Sequence, residues 1–169
     1  MYKLLLCCGP TRPAGFVRLD CNPAHEPDIL ATIPPLPPAV REKQWDVVEL
    51  IHGIEHFLEW DVRPLLAEVY CVLGPGGVLV LEQPNIAVAA RVLLGLEPAP
   101  YGGVLESAMW PLYGDPAHRD VGYLHRWGYT PETLTSALRN AASWSRIVVL
   151  PQQYHTYAMG RDFRVEATK

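Results

Sequence analysis

Two apolar runs that flank one amphipathic helix constrain this chain more than any other feature. Trp45-Asp46-Val47-Val48-Glu49-Leu50-Ile51 reads as one strand and Val78-Leu79-Val80-Leu81-Glu82 as the next. Between them Val62, Leu65, Leu66, Val69 and Leu73 recur at helical spacing, which leaves one apolar face to bury. Asp61 is placed to cap the helix start, Pro64 is tolerable within a first turn, and Gly74-Pro75-Gly76-Gly77 stops the helix. Strand, helix, strand is the grammar of a parallel sheet with right-handed crossovers.

The remaining runs fit that sheet. Lys3 to Cys8 is continuously apolar up to Gly9-Pro10, as suits a strand buried on both faces. Phe16 to Leu19, closed by Asp20, gives a second strand and Asp28 to Ala31 a weaker third. Arg146 to Leu150 and Phe163 to Ala167 give two more, which can pair as an antiparallel hairpin at a sheet edge. A second helix is signalled by Thr130-Pro131-Glu132-Thr133, with Leu134, Ala137, Leu138 and Ala141 as its buried stripe. The expected fold class is α/β, Rossmann-like, a mostly parallel doubly wound sheet with an antiparallel edge strand. Residues 86–129 break the pattern with Gly, Pro, Tyr and Trp, and are expected to form an irregular lid inserted after the fifth strand of a single domain, 1–169. The 17 prolines, concentrated in Ile33–Pro38 and around 98–116, mark loops.

Bulk properties narrow the function. The formal net charge of −4 supplies no basic field, which argues against capture of nucleic acid. Met1-Tyr2-Lys3 leads into only five apolar residues before Gly9, too few for a signal peptide or a membrane span, so a cytoplasmic protein is expected. The cysteines at 7, 8, 21 and 71 lack zinc-finger spacing and read as buried free thiols.

In open α/β sheets ligands bind beyond the carboxyl ends of the strands, where strand order reverses. That rule selects Cys8-Gly9-Pro10-Thr11 after the first strand and Asp20 after the second. Gly9 lets a ligand approach the backbone closely, and a carboxylate at Asp20 can accept the two hydroxyl hydrogens of a ribose. A glycine turn and a strand-end acid are also ordinary loop features, so the pair alone leaves the nucleoside reading open. The absence of G-x-G-x-x-G argues against NAD or FAD.

The order of these pieces carries a resemblance. Leu4-Leu5-Leu6-Cys7-Cys8-Gly9-Pro10, Val17-Arg18-Leu19-Asp20, Pro27-Asp28-Ile29-Leu30-Ala31, Trp45-Asp46-Val47-Val48, His52-Gly53-Ile54-Glu55-His56-Phe57 and Val69 through Gly77 follow one another at the intervals of a known family, which is met again at His125 to Glu132. The chain resembles the class I S-adenosylmethionine-dependent methyltransferases, in particular a compact bacterial branch lacking the N-terminal helices. The resemblance implies S-adenosylmethionine as cofactor. Cys8 and Gly9 would border its methionine part, Asp20 would hold the ribose hydroxyls, Thr32 in the turn Ala31-Thr32-Ile33 would lie beside adenine, and His52 would face the reactive sulfonium. The sequence departs from the family at Cys7, where glycine is usual, and at Thr32, where an aspartate commonly contacts adenine. A neutral hydroxyl makes the weaker contact. The first crossover is also too short for a helix.

Methyl transfer is an in-line displacement that mainly needs alignment, with a base only if the acceptor must lose a proton. His52 and Glu82 are the expected catalytic residues. Glu55 and His56 read more readily as fixing the loop before the helix, Asn85 as a cap for a helix beginning at Ile86, and His125-Arg126-Trp127 as packing the lid onto the core with Trp127 mostly buried. His118, Tyr123, His125 and Tyr129 could also reach the site. No metal site is expected, because His118 and His125 with Asp115 and Asp120 match no standard ligand spacing. Tyr101, Trp110, Tyr113 and Tyr123 form either an aromatic wall for a flat or sugar-like acceptor or a small second core. The leading expectation is a methyltransferase for a small-molecule substrate. A methyltransferase acting on protein or nucleic acid, and a non-catalytic binding module that kept the fold, stay open. A homodimer would cover the sheet edges and lid aromatics.

Overall fold

The computed structural model describes residues 1–169. Seven strands form one sheet: β1 (Lys3–Leu6), β2 (Phe16–Asp20), β3 (Ile29–Leu30), β4 (Trp45–Ile51), β5 (Leu73–Pro84), β6 (Arg146–Pro151) and β7 (Asp162–Thr168). Their order across the sheet is β3-β2-β1-β4-β5-β7-β6. β1 to β5 pair in parallel, and β7 runs antiparallel to both neighbours, one place in from the edge strand β6. The fold is therefore α/β and Rossmann-like, with a mostly parallel sheet.

Alternation along the strands sends one set of side chains to the main core. Leu4, Leu6, Leu19, Val48, Leu50, Leu79, Leu81, Phe163, Val165 and Ala167 pack there beneath two helices, α2 (Glu59–Val72) and α5 (Pro131–Ala141). A short helix, α1 (Pro38–Arg41), adds Val40 beside Leu36 and Trp45, whose indole donates to the Val40 carbonyl at 3.0 Å. The crossovers that would cover the opposite face, residues 7–15 and 21–28, contain no α-helix. That face carries Lys3, Arg18, Glu49, Arg164 and Glu166 around Leu5 and Val80, so long charged side chains replace a helical layer there.

Several element ends differ from expectation. β1 stops at Leu6 rather than Cys8 because Cys7 is left-handed, with φ +51°. α2 starts at Glu59, so Asp61 lies inside the first turn and supports the helix dipole instead of capping the end. Pro64 consequently sits within the helix. Lacking an N–H, Pro64 cannot donate to the Trp60 carbonyl four residues back. α5 begins as read, with Thr130 and Thr133 exchanging side-chain to backbone hydrogen bonds. Cys8 is buried and Cys7 partly so, but Cys21 and Cys71 are exposed, contrary to the reading of four buried thiols.

The glycine turn leads straight into β5. Leu73 pairs with Trp45, the register slips, and regular pairing resumes at Val78 opposite Val47. A Cβ on Gly77 would stand 2.9 Å from the backbone oxygens of both Gly74 and Trp45, neither of which can swing away. Gly77→Ala should cost about 1–3 kcal/mol of stability through this overpacking. Urea denaturation measures it, and a loss within experimental error would mean that the turn opens freely.

Residues 86–129 are more regular than expected. Asn85 caps α3 (Ile86–Leu93) by accepting from the Ala87 N–H at 3.0 Å. A π-helical turn, Leu105–Met109, continues into α4 (Trp110–Tyr113), and Ala89, Val92 and Ala108 make a small core of their own. The segment leaves and rejoins the sheet at one point, where Asn85 bridges Tyr129. Trp127 is 48% exposed, not buried. The anchoring is done by backbone, with the Arg126 and Trp127 N–H groups donating to the Glu55 carbonyl, and by the buried ring of Tyr129. No helix is long and apolar enough to cross a membrane.

Candidate functional site

Strand order reverses between β1 and β4, and a cavity of about 1050 Å³ opens beyond the carboxyl ends of the parallel strands. Cys8, Gly9, Asp20, Thr32 and His52 all line it. So do all six histidines of the chain: His25, His52, His56, His118, His125 and His155.

The β1 and β2 ends are locked together. Gly9 has φ +53° and would present a Cβ to open space. Its N–H donates to Asp20 Oδ2 at 2.8 Å, while Asp20 Oδ1 accepts from the Asn22 N–H at 2.8 Å and lies 3.1 Å from His25 Nδ1. His25 Nε2 in turn stands 2.8 Å from the Tyr123 hydroxyl, and Tyr123 stacks on His118 with ring centres 4.3 Å apart. A chain of polar contacts thus runs from the strand-end carboxylate to the 86–129 segment. Cys7 fills the space that Gly53 leaves, since a Cβ on Gly53 would lie 3.1 Å from that of Cys7. Burial first, and the charge of Asp20 second, push the Cys7 thiol up, so it stays protonated.

A second cluster forms at the rim beyond β5, between the end of β4 and the start of β7. His52, with φ +49°, sits between two carboxylates: Nδ1 is 3.4 Å from Glu55 Oε1 and Nε2 is 3.3 Å from Asp162 Oδ2. Burial disfavours the imidazolium, but the contacts with Asp162 and Glu55 outweigh it and raise the His52 pKa to about 9. Asp162 has no exposed side-chain surface. It takes two hydrogen bonds from Arg161, both 2.8 Å, and lies 3.4 Å from His155 Nδ1. Burial alone would raise its pKa; His155, His52 and Arg161 together hold it well below the usual carboxylate range. His52 and His155 lie face to face at a tilt, ring centres 4.2 Å apart.

No family model matches the sequence, and no curated protein matches it either. Solved structures do match. A SAM-dependent methyltransferase from Archaeoglobus fulgidus superposes with a TM-score of 0.63 at 15% identity, over 99% of this chain and 86% of its own. One from Thermotoga maritima gives 0.65 at 16%, over 99% and 82%. The N-methyltransferase NodS from Bradyrhizobium japonicum, with S-adenosylhomocysteine bound, gives 0.58 at 14%, over 99% and 77%. The chain has the class I methyltransferase fold.

Within this methyltransferase fold the residues singled out from sequence divide cleanly. Cys8, Gly9, Asp20, Thr32 and His52 converge on the cavity, and Tyr101, Trp110 and Tyr123 join them, whereas Tyr113 points to solvent. Glu82 does not reach the cavity. It is wholly buried, and its two oxygens accept from the backbone of Gln153 and Tyr154, at 2.9 and 2.6 Å, with Arg164 Nη1 at 3.6 Å. It therefore anchors the β6–β7 connection. That connection supplies Tyr154, His155, Tyr157 and Arg161, the first residue of β7 supplies Asp162, and the β2–β3 turn supplies His25; none of the residues from the connection or β7 was pointed to by the sequence. The one available signal was the cluster Tyr154-His155-Thr156-Tyr157 in a loop next to a strand.

Proposed function

We propose that the chain binds S-adenosylmethionine in this cavity and transfers its methyl group to a small-molecule acceptor. The observation that carries this reading is the pairing of the open backbone at Gly9 with the carboxylate of Asp20 at the point of strand reversal. The donor set fits the cofactor. Gly9 and Cys8 would border the methionine moiety without a side chain in the way, Asp20 would accept from the ribose hydroxyls, and Thr32 would lie by adenine. NodS, of like fold, holds S-adenosylhomocysteine, which supports the same assignment here.

The cofactor supplies an activated methyl group on a sulfonium, and the chain's own part is to align the acceptor and exclude water. His52 holds its proton at neutral pH, so its role in this reading is positioning: the flanking carboxylates fix its ring toward the cofactor pocket. Glu82, outside the cavity, acts one step removed by holding the turn that presents His155. Proteins of this fold include a glycopeptide N-methyltransferase and a small RNA methyltransferase, so the acceptor has to be argued from the cavity. Here Tyr101, Trp110 and Tyr157 line the cavity, with the Tyr101 and Tyr157 ring centres 5.0 Å apart, and the chain's net charge of −4 disfavours a polyanion.

Calorimetric titration with S-adenosylmethionine and S-adenosylhomocysteine tests the reading. Saturable one-site binding of both is the expected result. No heat and no thermal shift at about millimolar ligand, where even a binding energy near 4 kcal/mol would register, would sink it.

A further inference from the structure

We propose that Glu55, His56 and His125 form a binding site for a first-row divalent cation, of the zinc, cobalt or manganese class, in the wall of the cavity. A ligand atom from each of the three lies within 4.8 Å of the other two. Three features beyond proximity point the same way.

Glu55 is 2% exposed, yet neither of its carboxylate oxygens has a hydrogen-bond donor. Leaving a buried carboxylate unsatisfied is costly, and natural proteins do so where a ligand completes the group. The nearest cation, His52, approaches only Oε1, at 3.4 Å, and its other nitrogen already faces Asp162. The two histidines each have one ring nitrogen engaged by a backbone carbonyl, as metal ligands commonly do. His56 Nδ1 lies 3.1 Å from the Leu124 carbonyl and His125 Nδ1 2.8 Å from the Pro111 carbonyl. A carbonyl only accepts, so each ring in its neutral form carries its proton on Nδ1 and its lone pair on Nε2, the tautomer a metal requires. Finally, the cluster is held by backbone: the Glu55 carbonyl accepts from both Arg126 and Trp127 at 2.8 and 3.2 Å, which fixes His125 against the 3-10 turn Ile54–His56. Two imidazoles and one carboxylate suit transition metals better than magnesium or calcium, and three protein ligands leave coordination positions open toward the cavity. The neighbouring group His52, His155 and Asp162 is a poorer candidate, because Arg161 already neutralises Asp162 through two hydrogen bonds.

The test uses untagged protein stripped with chelator and then titrated with Co²⁺ by visible absorption and with Zn²⁺ by calorimetry, without S-adenosylmethionine. One equivalent should bind, with ligand-field bands in the cobalt spectrum, and Glu55→Gln and His125→Ala should each weaken binding at least tenfold. His118→Ala, which removes another cavity histidine, should leave it unchanged. Circular dichroism checks that each variant folds, and His56→Ala carries the comparison if Glu55→Gln does not. Absent cobalt bands together with no saturable zinc heat would overturn the site. So would equal affinity in the wild type and in the Glu55, His56 and His125 variants, or loss of the ion in His118→Ala. Because no cofactor is present, any of these failures leaves the S-adenosylmethionine reading untouched.

Discussion

Asp20→Ala should weaken binding of S-adenosylhomocysteine at least tenfold, about 1.4 kcal/mol. Asp20 acts twice. Its carboxylate is the acceptor proposed for the ribose hydroxyls, and it also fixes the surface against which the cofactor would lie by accepting from the N–H groups of Gly9 and Asn22. Alanine removes both, and it leaves His25 facing the gap. Asp20→Asn separates the two roles in part, because the amide retains one accepting oxygen but turns a donor toward a site already rich in donors. The asparagine variant should therefore bind more tightly than the alanine variant and less tightly than the wild type. Titration of the three proteins decides the matter: equal affinities would move the nucleoside away from β2.

Asp162→Asn should cost about 3–5 kcal/mol of stability, the range for removing one partner of a buried ion pair. Arg161 and His52 both contact this fully buried carboxylate, and losing it leaves Arg161 without its ion-pair partner and His52 with Glu55 alone. The sign of the pH dependence follows. Asp162 is held below the range it has in an unfolded chain, so its contribution is complete above about pH 4 and fades as pH falls through its folded-state value. Urea denaturation between neutral pH and about pH 3 should show the wild type losing more stability than Asp162→Asn over that interval. Parallel curves would show that Asp162 bears little of the acid sensitivity.

The sheet was legible because its strands are apolar runs closed by turn residues, and α5 because Thr130-Pro131 states a helix start in chemical terms. α2 was harder to bound. Its first residues, Glu59 and Trp60, are exposed and outside the apolar stripe, so periodicity placed the start too late. The site divides along the same line. Gly9, Asp20 and His52 follow parallel strands, and the rule that ligands gather at carboxyl ends finds them. Asp162 escapes that rule because β7 is antiparallel: its amino end lies opposite Pro84, at the same rim as the carboxyl ends of the others. Glu55 was visible, but whether its oxygens would find donors depends on contacts with residues some seventy positions away, which no local pattern encodes.

The bridge between Asn85 and Tyr129 has a consequence for how such a protein diversifies. Because the chain departs and returns at a single pair of neighbouring residues, the loop between them closes at nearly the same entropic cost whether it is shortened, lengthened or exchanged, since that cost rises only with the logarithm of loop length. From beyond that hinge the rim of the sheet and the Gly9–Asp20 corner receive a handful of contacts, such as Tyr123 with His25 and the Arg126 and Trp127 N–H groups with the Glu55 carbonyl. Folding of the sheet is thus largely uncoupled from the length of this segment, and a foreign segment transplanted between residues 85 and 129 should leave the sheet intact.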